Sequence, residues 1–241
     1  MNPGHDDGAF ACLQAPAPRG LARVRADGVD RLKRAAIRRL HRSAAGESLL
    51  LRIYYIGEVT TECALQEDWT GKTPDWLAPL IERHLEDERR HAAAFADALR
   101  LRGVSVTNAS APDWLSRRKI AQWRRLGHRY APRFAQGFLV PAYATGLCAE
   151  QMALRVLERH CAVIGARHPM HPLLSRVLGD EVQHVRLCGK VLRQLVAPDE
   201  TAQLAALLRE ARAIDASFGV TGALAMYLAA WFHALRPARA A

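Results

Sequence analysis

Two pentapeptides of the chain, DERRH at Asp87–His91 and DEVQH at Asp180–His184, carry the residue types from which a metal centre can be built. Each sets a Glu and a His three residues apart, so in a helix both side chains leave one face of a single turn. Glu58 and Glu150 stand about thirty residues ahead of Glu88 and Glu181, a spacing that suits a helical hairpin. Carboxylate oxygens can bridge two cations, and one neutral imidazole per cation leaves coordination positions free. The set Glu58, Glu88, His91, Glu150, Glu181 and His184 therefore meets the demands of a dinuclear cage. One such Glu–His pair is a weak signal. Two of them, each preceded by Asp and each trailing a Glu across a hairpin, are a specific one.

The neighbours of these residues predict burial. Glu150 has Gly146, Leu147, Ala153 and Leu154 one turn away, whereas the competing Glu158 sits beside Arg155 and Arg159 and reads as a surface residue. Buried charges need partners, which cations supply. Asp87 and Asp180 point about 100° away from the adjacent Glu and are poor ligands. They are expected to accept the second imidazole N–H of the His on the opposing helix, fixing its tautomer. Glu62, one turn beyond Glu58, is a candidate seventh ligand or proton carrier, with a solvated or Arg-paired carboxylate as the plainer alternative. His84, one turn before Glu88, is a second candidate, against a satisfied core or surface His. Tyr54 and Tyr55 could line a pocket or simply pack, and Phe95, Leu154 and Cys188 complete the expected pocket wall.

Four helices must position this set. Leu51, Tyr54, Tyr55, Glu58, Glu62 and Leu65 recur at helical spacing and predict a helix over 43–69. Thr70–Asp75 should stop it, and a second helix is expected over 75–102, ended by Gly103. Residue 73, midway between Glu58 and Glu88, falls in the turn, so folding back brings both carboxylates to one level. Helices over 137–164 and 173–196 repeat the arrangement, with the midpoint of Glu150 and Glu181 between residues 165 and 166. The halves form a weak internal repeat, offset by 93 residues at the pentapeptides and by 92 at Glu58 and Glu150. The stretch 104–136 reads as an irregular crossover with one short helix after Pro112, broken up by Gly127 and Pro132.

Around this bundle, residues 1–27 read as a loose Pro/Gly/Ala-rich arm, and a short basic amphipathic helix follows to Leu40. Two further helices are expected near 199–213 and 220–235. The expected division is thus 1–43, 44–196 and 197–241. The apolar stretch 218–235 is shorter than a usual membrane span and is expected to pack on the bundle or a subunit interface.

Composition bounds the rest. With 241 residues, half of them hydrophobic, the chain can build one substantial core. Its five cysteines, Cys12, Cys63, Cys148, Cys161 and Cys188, lack paired spacing, which argues against a disulfide framework, a zinc ribbon or a rubredoxin-type iron site. The first twenty residues lack the basic start and apolar run of a secretory signal, so a reducing, cytoplasmic compartment is expected. Of the 34 basic residues 30 are Arg, within a net charge of +10. Seven lie between Arg117 and Arg133 without an acidic residue, together with Trp123 and Tyr130, so a polyanionic partner is conceivable there beside the plainer reading of a solvated face.

Residues 44–196, with their two Glu–His turns and two lone Glu residues, resemble the ferritin-like di-iron carboxylate superfamily. The resemblance implies an all-α four-helix bundle with a long crossover between its second and third helices. It implies two iron ions, with Mn/Fe as the variant, held by Glu58, Glu88, His91, Glu150, Glu181 and His184. Oxygenases, desaturases, N-oxygenases, ferroxidases and peroxidases share that fold. The missing cysteine cluster disfavours a rubrerythrin-type peroxidase, and the crossover and C-terminal helices suggest a shaped pocket. The expected activity is a di-iron oxygenase or oxidase using dioxygen, an external electron donor and a small-molecule substrate. Alternatives are an iron-handling ferroxidase and a hydroxylase directed to tRNA or a carrier protein; a homodimer is left open.

Overall fold

Apolar residues at three- and four-residue spacing fold the chain into seven α-helices in this computed structural model, which describes residues 8, 10–67, 73–106 and 112–235. They are α1 (Gly20–Leu40), α2 (Ala44–Glu67), α3 (Ala78–Arg100), α4 (Trp114–Tyr130), α5 (Leu139–Ile164), α6 (His171–Leu195) and α7 (Thr201–Leu235), and no strand occurs among the described residues. Part of the expected stop at 70–75 and part of the crossover lie outside the described residues.

Two antiparallel hairpins carry the chemistry-bearing residues. In the first, α2 packs on α3 with Glu47 opposite Arg102 and Glu62 opposite Arg89. In the second, α5 packs on α6 across a turn that Gly165 opens at φ +74°, a conformation glycine adopts without a Cβ penalty. The hairpins meet through α3 and α6. Leu51 and Tyr54 of α2, Phe95 and Leu99 of α3, Leu157 of α5 and Leu174 and Val177 of α6 fill one end with apolar side chains. Removing a ring such as the fully buried Phe95 would cost about 3–5 kcal/mol, so this end fixes the spacing of the helices.

Three outer parts depart from the sequence expectations. Residues 10–13, read as loose arm, are docked: Phe10 and Leu13 are buried, and Arg212 donates to the carbonyls of Cys12 and Leu13. The basic helix starts at Gly20 and runs along α7, with Arg25 bonded to the Ala216 carbonyl and Arg39 stacked on Trp231. The crossover contains the 17-residue α4, with Gly127 inside it; there glycine admits the Phe138 ring, whose Cε2 would lie 3.0 Å from an added Cβ.

The two C-terminal helices are one continuous helix of 35 residues. Gly219 and Gly222 do not break it, because Met226, Tyr227 and Ala230 pack against α1 around Ala36, Ile37 and Leu40 and outweigh their weak helix preference. Its outer side leaves Val220, Leu224, Leu228, Trp231 and Phe232 exposed, and by length and composition α7 could cross a membrane.

Candidate metal centre

Where α3 and α6 cross, their pentapeptides face each other and the two aspartates engage the opposite histidines. His91 Nε2 donates to Asp180 Oδ2 at 3.0 Å, and His184 Nε2 donates to Asp87 Oδ2 at 3.3 Å. This reciprocal arrangement turns each imidazole so that Nδ1 faces inward. Both Nδ1 atoms, and Glu181 Oε2, are buried without a hydrogen-bond partner. Orphaned polar atoms of this kind are costly unless a ligand satisfies them.

Around them lie four carboxylates and three imidazoles, each at most 7% exposed: Glu58, His84, Glu88, His91, Glu150, Glu181 and His184. They fall into two donor quartets, His84, Glu88, Glu150, His184 and Glu58, Glu88, His91, Glu181, and each quartet could hold a metal ion. Glu88 belongs to both. His184 Nδ1 is 3.3 Å from Glu88 Oε1, while His91 Nδ1 is 3.5 Å from Glu58 Oε2 and 3.9 Å from Glu181 Oε1. His84 Nε2 lies 3.2 Å from Glu88 Oε1 and 3.4 Å from Glu150 Oε1.

Proton positions follow from this crowding. Burial, then repulsion from Glu150 and Glu58, pushes the Glu88 carboxyl well above its ordinary range. Burial and Glu150 push Glu181 up to about 12. Burial also opposes ionisation of Glu150, but His84 and Glu181 outweigh it and hold that carboxyl down to about 2. Burial and nearby His84 lower His184, keeping it neutral, whereas Glu58 and Asp180 outweigh burial at His91 and raise it. Isolated buried ions cost several kcal/mol each, so without cations the site keeps protons on part of its carboxylates.

The remaining candidates separate clearly. Glu62 turns away and pairs with Arg89 at 2.9 Å, because α3 presents a cation on that face. Glu158 is exposed. Tyr54 is buried, but its hydroxyl meets His160 Nδ1 at 2.8 Å and its ring stacks on Phe95. Tyr55 packs at the edge of the same apolar end, and Leu154 is half-buried. Of the expected pocket residues Cys188 alone borders the cavity beside the centre, so Tyr54, Tyr55, Phe95 and Leu154 are not its wall. That cavity, of about 160 Å³, is bounded by His84, Glu150 and Cys188 on the metal side and by Trp123, Phe138 and Tyr143 among others. Its wall comes from the last turns of α2 at Thr60, Thr61, Ala64 and Leu65, from α4 and from the start of α5, and the sequence offers no periodic signal for the placement of α4.

One residue escaped the sequence reading. Arg90 bridges both aspartates, with Nη1 2.8 Å from Asp87 Oδ1 and Nη2 3.1 Å from Asp180 Oδ2. Its spacing of three from Asp87 was the available signal; its reach to Asp180 depends on the helix crossing. In the Arg117–Arg133 stretch, α7 supplies acidic partners, Asp215 to Lys119 and Glu210 to Arg129. Arg117, Arg118 and Arg125 remain exposed. Comparisons with protein-family models, curated proteins and solved structures gave no match to this chain.

Proposed function

We propose that the chain is a non-haem di-iron oxidoreductase of ferritin-like architecture, using dioxygen to hydroxylate, N-oxygenate or desaturate a small organic substrate. The observation that carries this reading is the pair of inward-facing, unpartnered Nδ1 atoms of His91 and His184 beside an apolar cavity, with Glu88 common to both quartets. The two antiparallel hairpins and the crossover through α4 support the ferritin-like architecture. Two iron ions, held by Glu58, Glu88, His91 and Glu181 and by His84, Glu88, Glu150 and His184, would supply electrons and open positions for reducing dioxygen; the same donors suit Mn/Fe.

The chain's own contribution is orientation and exclusion of water. Asp87 and Asp180 hold the outer imidazole N–H groups, which turns both inner nitrogens toward the quartets as the positions for ligation. Glu88, which belongs to both quartets, would help to hold either ion. Largely apolar walls from α2, α4 and α5 would hold the substrate against the His84–Glu150 side, and a space of this size takes a molecule, or part of one, about the size of benzene. An external donor returns electrons. A reducing, cytoplasmic compartment is part of this proposal.

The test is anaerobic loading of the metal-stripped protein with Fe(II), followed by dioxygen. The expected result is about two tightly held irons per chain in the buried centre and an oxidised cluster seen optically or by Mössbauer spectroscopy. Glu88→Ala and His184→Ala should each lower iron content. Absence of any dioxygen-dependent change, or unchanged iron in both variants, overturns the reading.

A further inference from the structure

A second polar cluster lies at the end of the bundle, along α2 from the inner centre. His41 closes α1, Glu47 lies in the first turn of α2, and His168 sits in the α5–α6 turn. Eleven residues separate Glu47 from Glu58, about 16 Å at helical rise. Ser43 Oγ accepts the Gly46 N–H and starts α2, and Gly46 lets the end of α1 lie directly on that turn: an added Cβ would be 2.2 Å from the Leu40 carbonyl oxygen. This close approach brings His41 over Glu47.

One donor atom from each of His41, Glu47 and His168 lies within 4.8 Å of the other two. Glu47 Oε1 is 3.2 Å from His41 Nδ1 and 3.4 Å from His168 Nε2, and Arg102 occupies the other oxygen at 3.1 Å. Behind it, His41 Nε2 lies 2.6 Å from His160 Nε2, and His160 Nδ1 meets the Tyr54 hydroxyl. A cation on His41 Nδ1 would fix the proton on Nε2, where His160 accepts it, the support that metal-bound histidines commonly have. The Glu47 and His168 side chains are 20% and 22% exposed, so the cluster is reachable from solvent.

We infer that His41, Glu47 and His168 form a separate mononuclear site for a divalent transition-metal ion of the zinc type, with water completing its coordination. Two imidazoles and one monodentate carboxylate suit Zn(II), Co(II) or Fe(II) rather than Mg(II) or Ca(II). The Arg102 charge makes the site weaker than the inner one. In the metal-free arrangement His168 Nδ1 accepts the Met170 N–H at 3.2 Å, so the His168 proton resides on Nε2. A metal taking Nε2 moves that proton to Nδ1 and breaks the Met170 bond. Uptake is therefore visible at one identifiable amide.

The experiment compares metal-stripped wild-type protein with His168→Gln by equilibrium dialysis against Zn(II), and follows the Met170 amide by NMR during the titration. The wild type should hold one equivalent more than the variant, and its Met170 amide should shift with the uptake of that equivalent. Because the readout is a difference, it does not depend on how many ions the inner centre takes; Glu88→Ala should retain the additional equivalent. Circular dichroism verifies that His168→Gln folds. Equal stoichiometry in the two proteins, or a Met170 amide unmoved at saturation, overturns the site.

Discussion

At the residue scale, the centre is a contest between protons and cations for one set of atoms. Glu88 and Glu181 retain protons in the folded, metal-free chain and lose them when unfolded, so the folded state binds more protons and stability falls as pH rises. His91, raised by Glu58 and Asp180 against burial, acts with the same sign. Below neutrality the opposite trend enters, since burial holds His160 down to about 3 and its contribution is lost progressively as pH falls from the ordinary imidazole range toward that value. The clean window is about pH 7 to 8, with a slope of up to about 1.4 kcal/mol per pH unit for each retained proton. The melting temperature of EDTA-stripped protein should fall across that window, and metal-loaded protein should not follow it; a flat profile in the stripped protein contradicts the proton count. The aspartates allow a second prediction. Asp180→Asn or Asp87→Asn should keep the fold, because both positions are partly exposed, yet weaken metal binding about 10–100-fold by releasing an imidazole orientation, as read by competition with a chelator. The Glu–His spacing was legible in the sequence because it is local to one helical turn. The inclusion of His84 and the exclusion of Glu62 were not, since an opposing helix decides both: α5 brings Glu150 to His84, and α3 brings Arg89 to Glu62.

At the element scale, the same substitution should act with opposite sign at different glycines. Gly219 and Gly222 lie inside α7 with ordinary helical φ, and nothing stands within 4 Å of a Cβ added at either. Alanine at each should stabilise by about 0.5–1 kcal/mol, raising the melting temperature by a few degrees for the pair. A fall would mean that α7 is interrupted there. At Gly46 an added Cβ meets the Leu40 carbonyl oxygen, so Gly46→Ala must part α1 from α2 and should destabilise by about 1–3 kcal/mol in denaturant titrations. The hairpins were legible from the apolar period and from Gly103 and Gly165, both of which adopt positive φ at helix ends. The length of α1, the regularity of α4 and the continuity of α7 were not, because tertiary packing decided them. Gly127, which reads as a breaker, is carried through with Phe138 against it, and α7 is carried through Gly219 and Gly222 by α1 along the Met226–Ala230 face.

At the scale of the whole molecule, the proposed catalyst and an iron store place different demands on the outer helices. A storage cage needs the outer faces of its bundles for contacts between many copies and a route from the oxidation site to a shared interior. Here α1 and α7 wrap one side, α4 and α7 cover α5, and the space beside the centre is a partly open pocket bounded by Trp123, Phe138 and Tyr143 among others. The apolar stripe of Val220, Leu224, Leu228 and Phe232 offers one further contact face, enough for a pair of chains or an apolar partner. Iron titration in air should therefore saturate at about two or three ions per chain, the third at the His41–Glu47–His168 cluster, with light scattering reporting a particle of one or two chains. Continued uptake of tens of irons into a large symmetric particle would favour the ferroxidase alternative. Filling the cavity separates the roles further. Gly146 borders it with nothing within 4 Å of an added Cβ, so Gly146→Leu should leave the two inner irons bound and oxidisable. It should also abolish binding of benzene-sized probes, as measured by ligand-observed NMR. Loss of iron from that variant would mean that the cavity is structural support for the centre rather than the place where substrate meets it.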